Sequence, residues 1–103
     1  MTVLHKLSGG VLYISLSGEL DENWAEHVRN ELDGMILRMA FERLVIDLSK
    51  LSFMDSTGIG VLIGRYKKLK SRGTLIFLAN PSAAVDKILT LSGLYDIMPK
   101  ISA

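Results

Sequence analysis

The chain has 103 residues, 49% of them apolar and 22% charged, with 12 Lys plus Arg against 11 Asp plus Glu. That balance fits one globular domain spanning residues 1–103 and excludes a disordered chain, which would be poorer in apolar residues and less balanced in charge. Cysteine is absent, which rules out disulfides, thiolate metal sites, iron–sulfur clusters and cysteine nucleophiles.

The first strand is expected between Thr2 and Leu7, turned by Ser8-Gly9-Gly10 into a second at Val11–Ser17. There Leu12, Ile14 and Leu16 alternate onto one face. Gly18-Glu19-Leu20-Asp21 then leads into a helix. Its apolar stripe is Trp24, Val28, Leu32, Met35, Ile36 and Met39, at spacings of three and four. Asp21 or Asn23 is the expected cap, and Trp24 is expected in the core. Gly34 costs about 1 kcal/mol against Ala inside a helix, so an end or bend is expected near it.

Leu44–Leu48 reads as a buried strand, followed by a loop from Ser49 to Met54. A second helix shows the stripe Ile59, Leu62, Ile63, Tyr66 and Leu69 and stops before Gly73. Thr74–Ala79 is apolar at every alternating position, the pattern of an interior parallel strand. Asn80-Pro81 is the expected start of a third helix, which buries Val85, Ile88 and Leu89 and closes at Gly93. Ile97–Ile101 is a candidate last strand. The order β-β-α-β-α-β-α implies an α/β domain, with a mixed, mostly parallel sheet of four to five strands.

No segment approaches about 18 consecutive apolar residues, so no membrane span is expected. The N-terminus lacks the basic flank and apolar core of a signal peptide, so a cytoplasmic chain is expected. Residues 1–42 hold seven acids and three bases, whereas residues 43–103 hold nine bases and four acids. This is a mild dipole, unlike the uniformly basic surface of a nucleic-acid binder.

In α/β sheets, ligands and partners meet the carboxyl ends of strands and the helix starts beyond them. The segment placed there is Met54-Asp55-Ser56-Thr57-Gly58-Ile59-Gly60. One reading makes Asp55, Ser56 and Thr57 simple capping residues. Gly58, Gly60 and Gly64 argue for more, because each weakens the helix that contains it. At 100° per residue, Thr57, Gly60, Gly64 and Lys68 fall opposite the apolar stripe, with Val61 at their edge. Such a low-relief face lets another protein approach closely. A helix selected for stability alone would carry Ala, Glu or Lys there.

Enzyme readings find little support. His5 and His27 are the only histidines, and neither is expected beside Ser56 to act as its base. The G-x-S-x-G elbow, G-x-G-x-x-G and the G-K-[ST] ending of a phosphate loop are all absent. Asp47 and Asp55 have no evident third partner for Mg²⁺. Arg65 to Arg72 holds five bases and no acid. Cations at a helix C-terminus complement its dipole without any ligand.

Leu44 to Gly73, centred on Leu51-Ser52-Phe53-Met54-Asp55-Ser56-Thr57-Gly58-Ile59-Gly60, closely resembles the sulfate-transporter and anti-sigma-antagonist (STAS) domain. Within it the chain is similar to bacterial anti-anti-sigma factors. Gly18-Glu19-Leu20-Asp21 and Leu91-Ser92-Gly93-Leu94 extend the likeness over nearly the whole chain. The resemblance implies a small sheet with helices mainly on one face, and phosphorylation at Ser56. It implies an anti-sigma factor serine kinase as partner, which releases a sigma factor when the unphosphorylated antagonist binds. A serine phosphatase would be a transient second partner. Trp24 departs from the pattern, since many relatives carry a small hydroxyl residue there.

The expectation is therefore a regulatory module, not an enzyme, with no cofactor or metal of its own. Ser56 is the phosphorylation site. Asp21, Asn23, Trp24, Asp55, Ser56, Thr57, Gly58, Gly60, Val61, Gly64 and Lys68 form the partner surface. A monomer or weak dimer is expected, the latter through the exposed edge of the first strand. The alternatives are a phosphorylation-dependent adaptor of another signalling complex, or a free-standing accessory subunit of a membrane transporter. A small-molecule or nucleotide-binding domain is disfavoured by the missing fingerprints.

Overall fold

The computed structural model describes residues 1–103. A single five-stranded sheet carries β1 (Thr2–Ser8), β2 (Val11–Leu20), β3 (Arg43–Met54), β4 (Leu75–Ala79) and β5 (Lys100–Ile101). The strands lie in sequence order; β1 is antiparallel to β2 and every other pair is parallel. The crossovers are α1 (Ala25–Arg38), α2 (Ser56–Lys70) and α3 (Ala83–Ser92), the last followed by a 3₁₀ turn at Leu94–Asp96.

Alternation decides which side of the sheet is covered. Leu12, Ile14, Leu16, Leu44, Ile46, Leu48, Ile76 and Leu78 point to one face and are fully or almost fully buried. They join one cluster with Val28 and Leu32 of α1, Leu62 and Leu69 of α2, and Val85 and Leu89 of α3. The opposite face has no helix in that cluster. It leaves Leu4, Tyr13 and Leu75 exposed. No helix is long and apolar enough to cross a membrane.

Two strands run further than the sequence pattern indicates. Ser49–Met54 is strand, not loop, because it pairs with Ser17–Leu20 across two register shifts. The shifts break period-2 alternation, so the inward residues Leu48, Leu51 and Met54 recur every three positions and disguise the strand. Gly18 sits between the shifts at φ +115, a conformation that side chains disfavour. The extension carries β2 and β3 upward together, so both end beside the start of α2.

The helices also correct several expectations. α1 runs unbroken through Gly34 to Arg38. Its buried stripe (Ala25, Val28, Leu32, Met35 and Ile36) holds it despite the glycine. Trp24 is not in the core: it is the N-cap residue of α1, 41% exposed, packing edge-to-face on His27 at 5.8 Å. Ser82, not Asn80, caps α3, its hydroxyl accepting the amide of Val85 at 3.4 Å. Asn80 instead brackets the last residue. Its Nδ2 donates to the Ala103 carbonyl, and its Oδ1 accepts the Ala103 amide, both at 3.1 Å.

Candidate functional site

The site lies where β2 and β3 end and α2 begins. Asp55 is the N-cap of α2. Its Oδ1 accepts the amide of Thr57 at 3.0 Å and, more weakly, that of Gly58 at 3.4 Å. The carboxylate therefore satisfies two of the free amides at the helix start and adds favourable charge there. Capping thus falls to Asp55, and the adjacent Ser56 is left exposed as the first residue of the helix. Thr57 is half-buried.

Gly58 is buried, and the reason is steric. A Cβ there would lie 2.6 Å from Met54 Cγ, 3.0 Å from Leu20 Cγ and 3.1 Å from the Leu20 carbonyl oxygen. Its lack of a side chain lets α2 start tight against the ends of β2 and β3. That contact holds Leu20, the last residue before the β2–α1 turn, against the first turn of α2. In the turn, Asp21 Oδ1 accepts the Asn23 amide at 3.0 Å, and the Asp21 carbonyl accepts the amides of Trp24 and Ala25. Asp21 thus organises the turn without capping the helix itself. Asn23 and Trp24 are exposed at its crest.

Further along α2 the expected face is only partly present. Gly60 is exposed and Gly64 half-buried, and a Cβ on either would meet nothing within 4 Å. Val61 is 1% exposed and belongs to the core cluster, so it does not border an open face. Gly58, likewise, offers no contact surface. Ile63 is half-buried and turns toward the exposed side more than its place in the apolar stripe implied. Lys68 is half-exposed, but its Nζ is held by Asp33 Oδ2 of α1 at 2.9 Å.

Asp33 Oδ1 also forms an ion pair with Arg65 Nε at 3.0 Å, without the alignment of a hydrogen bond. Arg65 is 5% exposed, and burial pulls its pKa down while Asp33 opposes that shift. Nothing in the charge pattern distinguished this buried cation from the basic run around it. Phe53 also escaped sequence reading. It lay in the presumed loop, yet it stands exposed on β3 beside Glu19 of β2. No group of three or more His, Cys, Asp or Glu side chains is placed to hold a metal.

Acids cluster in the segments that meet near the α2 start: Glu19 at the end of β2, Asp21 and Glu22 in the turn, Glu26 in the first turn of α1, and Asp55 at the α2 cap. The cations of α2 lie at its other end. A model of the STAS domain matches residues 3–103.

The chain belongs to the STAS domain family. Among its relatives in that family, the anti-sigma F factor antagonist of Paenibacillus polymyxa is 42% identical over 90 residues, covering 87% of this chain and 77% of the relative. The anti-sigma factor antagonist SpoIIAA, solved in its unphosphorylated form, superposes with a TM-score of 0.80 at 30% identity. That match covers 99% of this chain and 88% of the other. The phosphorylated form of the Bacillus cell-fate determinant SpoIIAA superposes with a TM-score of 0.72 at 28% identity, covering 99% and 91%. This STAS domain therefore has the α/β fold of SpoIIAA, and its relatives are bacterial regulators of sigma factors.

Proposed function

We propose that this STAS domain is an anti-sigma factor antagonist, acting in the cytoplasm and switched by phosphorylation of Ser56. The observation that carries the reading is the division of labour at the start of α2. Asp55 caps the helix, so Ser56 is free for a kinase and dispensable for the fold. The unphosphorylated chain binds an anti-sigma serine kinase, which supplies the ATP. The surface offered is Ser56 and Thr57, the glycine face at Gly60 and Gly64, and the turn Asp21–Trp24.

A phosphate on Ser56 brings about −1.5 to −2 charges. The helix start tolerates them, because its amides and dipole favour an anion. No Lys or Arg belongs to the adjoining turn or to the first turns of α2, so no local cation draws the phosphate into a new arrangement. Under a close-packed partner, the phosphate instead adds bulk, desolvation and repulsion from Asp55. A loss of about 3–4 kcal/mol corresponds to a few hundredfold weaker binding. The switch is therefore occlusion of a surface, without refolding. A match to both the phosphorylated and unphosphorylated forms of SpoIIAA over 99% of the chain supports that view.

The test is site-mapped mass spectrometry after incubation with ATP and candidate anti-sigma kinases from the same cell, with binding read in parallel. One phosphate on Ser56 and dissociation of the complex are expected. Ser56→Ala should stay bound, and Ser56→Asp should bind poorly while remaining folded. Equal binding by both variants would refute the switch.

A further inference from the structure

The sheet face that carries no helix is patterned in rows. Strand register places Lys6, Tyr13, Val45 and Phe77 side by side across β1, β2, β3 and β4. One row toward the strand starts is Val11, Arg43 and Leu75. One row toward the strand ends is Leu4, Ser15, Asp47 and Ala79. Leu4 and Leu75 are 58% and 56% exposed. Val45 stands outside the core cluster on this side, recessed at 6% exposure between two shallow hollows that Tyr13 and the last residue, Ala103, also line. From β2 to β4 the middle row is thus apolar, with Arg43 in the row on one side and Asp47 in the row on the other.

Neither charge is satisfied within the chain. The ion pairs present are Arg65–Asp33, Lys68–Asp33 and Lys100–Asp86. Asp47 Oδ1 accepts only the nearby Ser49 amide, at 2.9 Å. Arg43 and Asp47 are four residues apart on one strand, so both project from the same face as Val45 between them.

We propose that a second copy of this chain docks on this face, about a two-fold axis perpendicular to the strands and passing over the Tyr13–Val45–Phe77 row. That axis reverses strand direction while keeping strand order. Tyr13 and Phe77, the more exposed members of the row, then meet their counterparts in the partner, and Arg43 lies over the partner's Asp47, twice by symmetry. Packed sheets are separated by about 10 Å, a gap that an arginine and an aspartate side chain span together. A two-fold axis parallel to the strands instead sets Arg43 on Arg43 and Asp47 on Asp47. The charges therefore select one of the two face-to-face arrangements. Lys6 ends the middle row at the sheet edge, so the same axis sets it beside the partner's Lys6; both ammoniums are exposed there, and water and salt screen their repulsion.

The patch is four strands wide at roughly 4.8 Å per strand and three rows long, at the small end of specific interfaces, below about 1,200 Å² in total. The dimer is accordingly weak and concentration-dependent. It leaves Ser56 uncovered and does not depend on the reading of that residue.

Sedimentation velocity of the full chain, from low micromolar to near-millimolar, tests the proposal. The wild-type mass should rise from monomer toward dimer. Arg43→Asp and Asp47→Arg should each remain monomeric, with circular dichroism confirming the fold. The double swap R43D/D47R should restore dimerisation to within a few-fold of wild type. A strictly monomeric wild type overturns the proposal and leaves the face to a different protein. Dimerisation undiminished in the single variants overturns it in favour of pairing through the β1 edge. A double swap that stays monomeric also overturns it.

Discussion

Three glycines in α2 should respond to alanine with opposite signs. At Gly58 the added Cβ would meet Met54 Cγ at 2.6 Å and the Leu20 carbonyl oxygen at 3.1 Å. The Met54 side chain can rotate away. The carbonyl cannot move freely, because Leu20 is paired with Met54 in the sheet. Overpacking of this kind costs about 1–3 kcal/mol. Alanine returns about 1 kcal/mol through helix propensity, so Gly58→Ala should be about 1 kcal/mol less stable than wild type. At Gly60 and Gly64 nothing lies within 4 Å of the added atom. There only the propensity gain applies, and each variant should be about 1 kcal/mol more stable. Equilibrium urea unfolding with a shared m-value reads these differences directly. In a chain of this size each kcal/mol shifts Tm by about 4–8 °C. If Gly58→Ala gained stability as Gly60→Ala does, the steric account of the α2 start would be refuted.

Removing one member of the buried pair between α1 and α2 should cost more than removing both charges. Asp33→Ala leaves the Arg65 guanidinium unpaired at 5% exposure, an expected loss of about 2–3 kcal/mol in urea unfolding. Arg65→Met, combined with Asp33→Ala, should recover most of that loss. Asp55→Ala should cost about 1 kcal/mol through loss of the α2 cap; no loss of stability would show that the two amides are satisfied another way. Tyr95 Oη donates to Asp86 Oδ1 at 2.6 Å, and Lys100 Nζ donates to the same oxygen at 3.1 Å. These two bonds hold the Asp86 carboxyl below its ordinary pKa. Burial and the bond to Asp86 push the Tyr95 phenol well above its own. The stability that Asp86 contributes is present above its unfolded value near 4 and lost as pH falls through the lower folded value. The Tyr95 contribution is present below about pH 10 and lost as pH rises toward the folded value. Tyr95→Phe should flatten the alkaline limb of the stability profile and move the acid limb upward in pH. An unchanged profile would show that the Asp86–Tyr95 bond is not maintained in solution.

The fold was legible wherever period and punctuation agreed. Leu12, Ile14 and Leu16 on β2, the glycines at 73 and 93, and the succession of strands and helices led to the observed sheet. Legibility failed where tertiary contact overrode a local rule. The upper half of β3 pairs through register shifts, so no sequence window alternates there. Trp24 resembles a core aromatic at helical spacing, yet it falls on the crest of a turn that Asp21 shapes. In α2, a 100° wheel placed Val61 at the margin of the open side. The helix packs with Gly58, Val61, Leu62, Arg65 and Leu69 inward, and Ile63 and Tyr66 only partly covered. The wheel centred on the hydrophobic residues could not allow for a buried arginine, because Arg65 is inward only by virtue of Asp33 on the neighbouring helix.

The same comparison separates two reasons for a glycine. Gly58 is held by packing within the chain, and stability alone accounts for it. Gly60 and Gly64 meet nothing, so together they leave about 2 kcal/mol of helix stability unrealised. In a domain whose whole stability is about 5–15 kcal/mol, that deficit calls for a reason outside the fold. Under the proposed function, a kinase surface lies close against this side of α2. A side chain at position 60 would then hold the partner off while improving the isolated domain. Gly60→Leu should therefore unfold at higher urea than wild type and bind the kinase at least tenfold more weakly. A variant gaining stability with binding intact would leave the two open glycines without a functional explanation and would confine the contact surface to Ser56, Thr57 and the Asp21–Trp24 turn.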